Sequence, residues 1–163
     1  MTQTRWFNTL KWILIALTVA IYVGYFLIYV RYAVSLFTFP FDYERGEGLE
    51  LNNAVLFARG EMPYRNIEEY PFYTSIYPPV YHLTLVPFVW IFGPALWYGR
   101  AFSFLTTLIT AFAIGYAVWR DGDLNGRSKW IAIVSGLAYL ASNYVYHNGP
   151  LVRQHITMVM YET

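Results

Sequence analysis

Trp12-Ile13-Leu14-Ile15-Ala16-Leu17-Thr18-Val19-Ala20-Ile21-Tyr22-Val23-Gly24-Tyr25-Phe26-Leu27-Ile28-Tyr29-Val30 carries no charge and is closed by Lys11 on one side and Arg31 on the other. A helix rises about 1.5 Å per residue, so about 20 apolar residues cross the hydrocarbon of a bilayer. The run has that length and reads as a membrane-spanning helix. Its apolar stretch is too long for a cleaved leader and no Ala-x-Ala-like site follows it, so the sequence predicts a retained helix.

Two further runs share these properties. Ala101–Trp119 lies between Arg100 and Arg120, and Trp130–Tyr146 follows Lys129. Tyr and Trp crowd the ends of these stretches, where amphipathic rings suit the headgroup region. A fourth run, Val80–Phe92, is preceded by Tyr77-Pro78-Pro79, interrupted by Pro87 and ended by Gly93-Pro94. It is short for a span and suits an interfacial or re-entrant helix.

Composition points the same way. Of 163 residues, 57% are apolar, 21% aromatic and 13% charged, whereas ordinary globular domains carry about 25% charged residues. One small soluble core could not hide that many aromatic rings. The net charge is +1 without any Lys/Arg-rich run, so nothing supports a nucleic-acid partner. The absence of cysteine excludes disulfides, thiolate catalysis and Cys-ligated metals.

Charge sets the expected topology. Arg120, Arg127 and Lys129 fall in one short connection, and Arg5 and Lys11 precede the first run. Positive-inside bias puts both on the cytoplasmic side, which requires an even number of crossings between them. Val80–Phe92 therefore does not cross. The expected fold is an all-α, multi-pass cell-membrane protein with its N-terminus cytoplasmic. It has about three transmembrane helices (12–30, 101–119 and 130–146). A large first external loop, about 39–97, holds two interfacial helices, about 49–59 and 79–92.

That loop contains seven of the ten acidic residues: Asp42, Glu44, Glu47, Glu50, Glu61, Glu68 and Glu69. Within it, Leu51, Val55 and Ala58 recur at helical spacing and Gly60 is placed as a stop. Met62-Pro63-Tyr64 and Tyr70-Pro71-Phe72 read as turns. Asp42 admits two readings. It caps the following helix or is simply solvated, or it serves as a general base or helps hold a divalent cation near a lipid phosphate. Glu44 and Glu47 share both. Arg59, Arg100 and Arg153 either snorkel to the interface or neutralise a phosphate, whose oxygens match a guanidinium fork. His82, His147 and His155 lack metal-ligand spacing and read as structural.

The ordered series Phe41-Asp42-Tyr43-x-x-Gly46-Glu47-Gly48, Ala58-Arg59-Gly60-Glu61-x-Pro63-Tyr64, Tyr70-Pro71-Phe72, Tyr77-Pro78-Pro79-x-Tyr81, Phe92-Gly93-Pro94 and Gly99-Arg100-x-x-Ser103 resembles the GT-C superfamily of polytopic glycosyltransferases. Relatives of the protein O-mannosyltransferases and the aminoarabinose transferases are the nearest likeness. Asn148-Gly149-Pro150-Leu151-x-Arg153 resembles a later external segment of that family. The resemblance implies transfer of a sugar from a polyprenyl-phosphate carrier to an acceptor on the outer membrane face, with a divalent cation (Mg or Mn) as a candidate cofactor.

It also implies an active-site acid early in the first external loop, where Asp42 matches and Glu47 is the second match. Asp42 and Glu47 stand further apart than the family's tighter Asp-x-x-Glu-Gly spacing, so Glu44 stays a competitor. Gln154-His155 follows Arg153 where relatives often carry an acid. Members of that family are much longer, so the chain reads as the N-terminal portion of such a transmembrane domain and is not expected to catalyse alone. The alternative is a non-catalytic membrane scaffold or transporter component.

Overall fold

The computed structural model describes residues 2–121 and 127–162. Among them the chain is all-helical: α1 (Thr2–Phe37), α2 (Glu47–Ala58), α3 (Val80–Phe92), α4 (Leu96–Asp121), α5 (Arg127–Ala141), α6 (Asn143–Asn148) and α7 (Gln154–Glu162). Two helices are long and apolar enough to cross a membrane, Arg5–Phe37 within α1 and Leu96–Asp121.

Both exceed the runs that mark them in the sequence. Helix α1 contains no proline and continues through Arg31 until the chain approaches Pro40, which biases its predecessor away from helical geometry. Helix α4 begins five residues before Ala101 and so takes Arg100 inside the helix. The expected third span, Trp130–Tyr146, is not one helix. It breaks at Ser142, whose φ of −63° and ψ of 138° are extended, and α6 starts anew at Asn143. Ser and Asn compete with helix interiors by bonding to nearby backbone, and an apolar average over the run hides them. The 15 residues of α5 rise only about 22 Å, short of the roughly 30 Å hydrocarbon layer.

In the loop, Pro79 stands at the N-cap of α3, where a missing N–H costs nothing. Pro87 sits inside the helix and removes one helical bond. Gly93, at φ 74°, ends α3 in a conformation that favours glycine.

Helix α4 is the hub, packing on α5, α7 and α1, while α2 packs on α3. The α4–α5 seam is tight because it lacks side chains: a Cβ on Gly136 would lie 2.7 Å from the Ala111 carbonyl oxygen, and one on Gly115 would lie 3.1 Å from that of Ala132. Small residues allow this approach where lipid offers no hydrophobic drive between helices. One core cluster, with Ala54, Tyr81, Leu85 and Val152, lies under the loop. Another, with Tyr29, Ala111, Leu140 and Val145, lies between the long helices. Arg100 donates from Nη1 to the Leu36 carbonyl at 2.6 Å, so the segment between α1 and α4 leaves and returns at one end of the helices. At the other end Leu14 and Thr18 of α1 flank the same hollow as Trp130 and Val134 of α5. Gly122–Gly126, the middle of the basic connection, lie outside the described residues.

Candidate functional site

Three of the expected acids meet at the start of α2, whose positive dipole end favours them. Glu47 is fully buried in a bidentate pair with Arg100, Nε to Oε1 at 2.9 Å and Nη2 to Oε2 at 2.7 Å. The same carboxylate accepts the N–H of Tyr43 at 2.8 Å and that of Val152 at 3.0 Å. Arg100 completes its set by donating to the carbonyls of Leu36, Phe39 and Phe41 at 2.6, 2.5 and 2.8 Å. A guanidinium has five N–H donors, and all five are used. The structure therefore gives Glu47 and Arg100 to each other: neither has capacity left for a base's or a phosphate's role.

Glu44 accepts the N–H of Gly46 at 3.2 Å and pairs with Arg153. The guanidinium lies flat against Gly46, where a Cβ would come within 2.8 Å of Cζ. The Nε of Arg153 is buried without a partner. Asp42 stays exposed while its Oδ2 accepts the N–H of Gly48, one of the unpaired donors in the first turn of α2, at 3.2 Å. A Cβ on Gly48 would fall 2.6 Å from that oxygen, so a larger residue there would displace the Asp42 carboxylate. Asp42, Glu44 and Arg153 are thus brought together around one helical turn. Arg59 is not: it caps the opposite end of α2 and is exposed, roughly 16 Å away by helical rise.

The donor set does not fit a resident cation. Glu47 is taken by Arg100 and Glu44 by Arg153, which leaves Asp42 alone. Among the described residues no three His, Asp or Glu side chains converge on a point.

The sequence reading missed a second buried group. Glu50 Oε2 and His82 Nε2 stand 2.5 Å apart, both enclosed. Asn53 lies 3.2 Å from the same ring nitrogen, donates to Ser75 at 3.1 Å and accepts from the Tyr73 hydroxyl. Glu50 Oε1 and His82 Nδ1 remain buried without partners. Burial pushes the Tyr73 hydroxyl pKa up, and the Glu50 charge adds to it. A signal existed: Glu47, Glu50, Asn53 and Ala54 share a face at helical spacing, and that face, rather than Leu51-Val55-Ala58, is the more deeply buried one.

Fold and site define an all-helical chain in which two helices, long and apolar enough to cross a bilayer, carry a charged clamp at one end. No known protein family, curated protein or solved structure matches this chain.

Proposed function

We propose that the chain belongs to a multi-pass membrane glycosyltransferase that draws sugar from a polyprenyl-phosphate donor at its outer face. The observation that carries this reading is the placement of Asp42 and Arg153. One is an exposed carboxylate and the other a guanidinium with a buried, unpartnered donor. They lie against Gly48 in the first turn of α2 and Gly46 at its N-cap, at the end of two long apolar helices. A lipid-anchored phosphate and a water-borne acceptor meet at such a level.

In this reading Asp42 takes the proton of the acceptor hydroxyl as that oxygen attacks the sugar's anomeric carbon. The bond from that carbon to the donor phosphate oxygen breaks. The polyprenyl phosphate leaves with its charge offset by Arg153. A general base is worth roughly 10²–10⁴-fold in rate.

The membrane part of the proposal has its own support. Large apolar residues of α1 face outward, Leu27 at 62% and Ile13 at 57% exposure, which water does not tolerate along a whole helix. The return of the loop to Leu36 favours α3 lying at the surface rather than crossing. The shared level of Thr18 and Val134 favours the N-terminus and the α4–α5 connection on one side. Helix α5 with α6 would then supply the third crossing.

The test is transfer from labelled polyprenyl-phosphate sugar by membranes containing the protein. Asp42→Asn should lower transfer by two to four orders of magnitude at an unchanged protein level, because the Asn side-chain oxygen can still accept the Gly48 N–H. Transfer at the parental rate would overturn the assignment. A second reading, a non-catalytic membrane scaffold or transporter component, draws on the structural use of Glu44 and Glu47 in ion pairs at the start of α2.

A further inference from the structure

We propose that the groove between α1, α4 and α5 holds an acyl chain of an anionic phospholipid whose phosphate pairs with Lys129. The inference rests on the reading of this chain as a membrane protein, though not on its being an enzyme.

The groove follows from the seam described above. At Gly115 and Gly136 the backbones of α4 and α5 nearly touch. Beside the contact line the bulky residues Phe26, Phe112, Tyr116, Ile133 and Leu137 stand apart and border an open groove of about 700 Å³. The lining is apolar along its length except at one end, where Lys129 and Trp119 close it. From Lys129 to Leu140, both lining residues, a helix rises roughly 16 Å. One leaflet of a bilayer is about 15 Å of hydrocarbon deep. The groove therefore spans one leaflet, with its single charged residue at headgroup level and an aromatic ring beside it, as interfacial anchors are placed.

Two arguments select the occupant. A transmembrane helix seeks small residues to approach closely, and those on α4 and α5 are already spent on each other. What remains is a trench with aromatic walls, which a flexible chain can follow and a cylinder about 10 Å wide cannot. The charge at the mouth then selects among lipids. Arg120 and Asp121, at the same end, carry opposite charges that sum to zero, and Lys129 makes no ion pair with a described residue. A lipid with net negative charge is favoured there over a zwitterion, by roughly fivefold for one lysine near the surface.

The experiment is fluorescence quenching by lipids brominated on the acyl chain, with the protein in phosphatidylcholine bilayers. The Trp119 contribution is isolated as the difference between the parent and Trp119→Phe. Brominated phosphatidylglycerol should compete for this site about fivefold better than brominated phosphatidylcholine. Lys129→Gln should erase the preference and Lys129→Arg should retain it. Equal quenching of the Trp119 contribution by both lipids overturns the proposal. So does no quenching of it, which would mean that protein covers the groove. If Trp12 on α1 is also untouched by either lipid, the membrane reading fails with it. If Trp12 is quenched normally, only the groove assignment falls.

Discussion

Glu47 and Arg100 lie 53 residues apart in sequence and meet in a two-pronged ion pair with no exposure to solvent. The pair does more than neutralise itself. Through Arg100 it collects three carbonyls from the end of α1 and the segment after it, and through Glu47 the amides of Tyr43 and Val152. Five elements at this end of the long helices are thus tied at one point: the end of α1, the segment after it, α2, α4 and the turn before α7. An arginine inside an apolar helix would ordinarily suggest a transport path. Here its carboxylate partner and its carbonyls account for it.

The first prediction concerns this clamp. Glu47→Gln or Arg100→Gln should each cost about 3–5 kcal/mol, because the remaining charge is left buried and unpaired. Arg100→Lys should also destabilise, since an ammonium has three donors where five are used. Replacing both partners by apolar residues should not restore stability, as it does for isolated buried pairs. Three carbonyls and two amides would still lack partners, at about 1–3 kcal/mol each. Unfolding midpoints in detergent measure this; a double variant as stable as the parent would contradict it. Loss of activity in Glu47→Gln therefore says nothing about catalysis unless the protein level holds.

Much of the fold was legible. Uncharged runs bracketed by Lys and Arg mark α1 and α4, and prolines and glycines bracket α3. The third run is two helices rather than one because two polar residues, Ser142 and Asn143, break a helix that an average over the run leaves apolar. The site was legible by residue but not by pairing. Nothing in one sequence says that Arg100 reaches back to Glu47 rather than out to a phosphate. Glu50 with His82 was hidden because carboxylates on a loop helix normally face water, whereas α2 turns that edge inward.

The second prediction concerns Glu44, whose carboxylate occupies the Arg153 guanidinium. In Glu44→Gln that competition ends, and a short-chain polyprenyl phosphate should bind up to about fivefold more tightly, as befits a partly exposed pair. Arg153→Gln should bind it more weakly than the parent. Tryptophan fluorescence titrations read both. Unchanged affinity in the two variants would remove Arg153 from the phosphate site.

The third prediction is topological. Cysteine is absent from the chain, so Glu61→Cys and Asn125→Cys each introduce a single label site. A membrane-impermeant maleimide should reach Glu61→Cys in intact cells and Asn125→Cys only after lysis. The reverse pattern would invert the protein in the membrane.

The last prediction separates glycines that hold the fold from one that does not. A Cβ on Gly136 would press to 2.7 Å on the Ala111 carbonyl oxygen, which is helix backbone and cannot swing aside. Gly136→Ala must therefore push α4 and α5 apart along their seam, and overpacking of this kind costs about 1–3 kcal/mol. Gly115→Ala, with 3.1 Å to the Ala132 oxygen, should cost less. Gly24 lies in the middle of α1 with nothing within 4 Å of the position a Cβ would take. There alanine removes the entropy penalty of glycine in a helix and should stabilise by about 0.5–1 kcal/mol. The three unfolding midpoints should fall in the order Gly24→Ala, Gly115→Ala, Gly136→Ala from highest to lowest. If Gly136→Ala matches or exceeds the parent, the α4–α5 backbone contact is not part of the folded protein, and the groove beside it loses its wall.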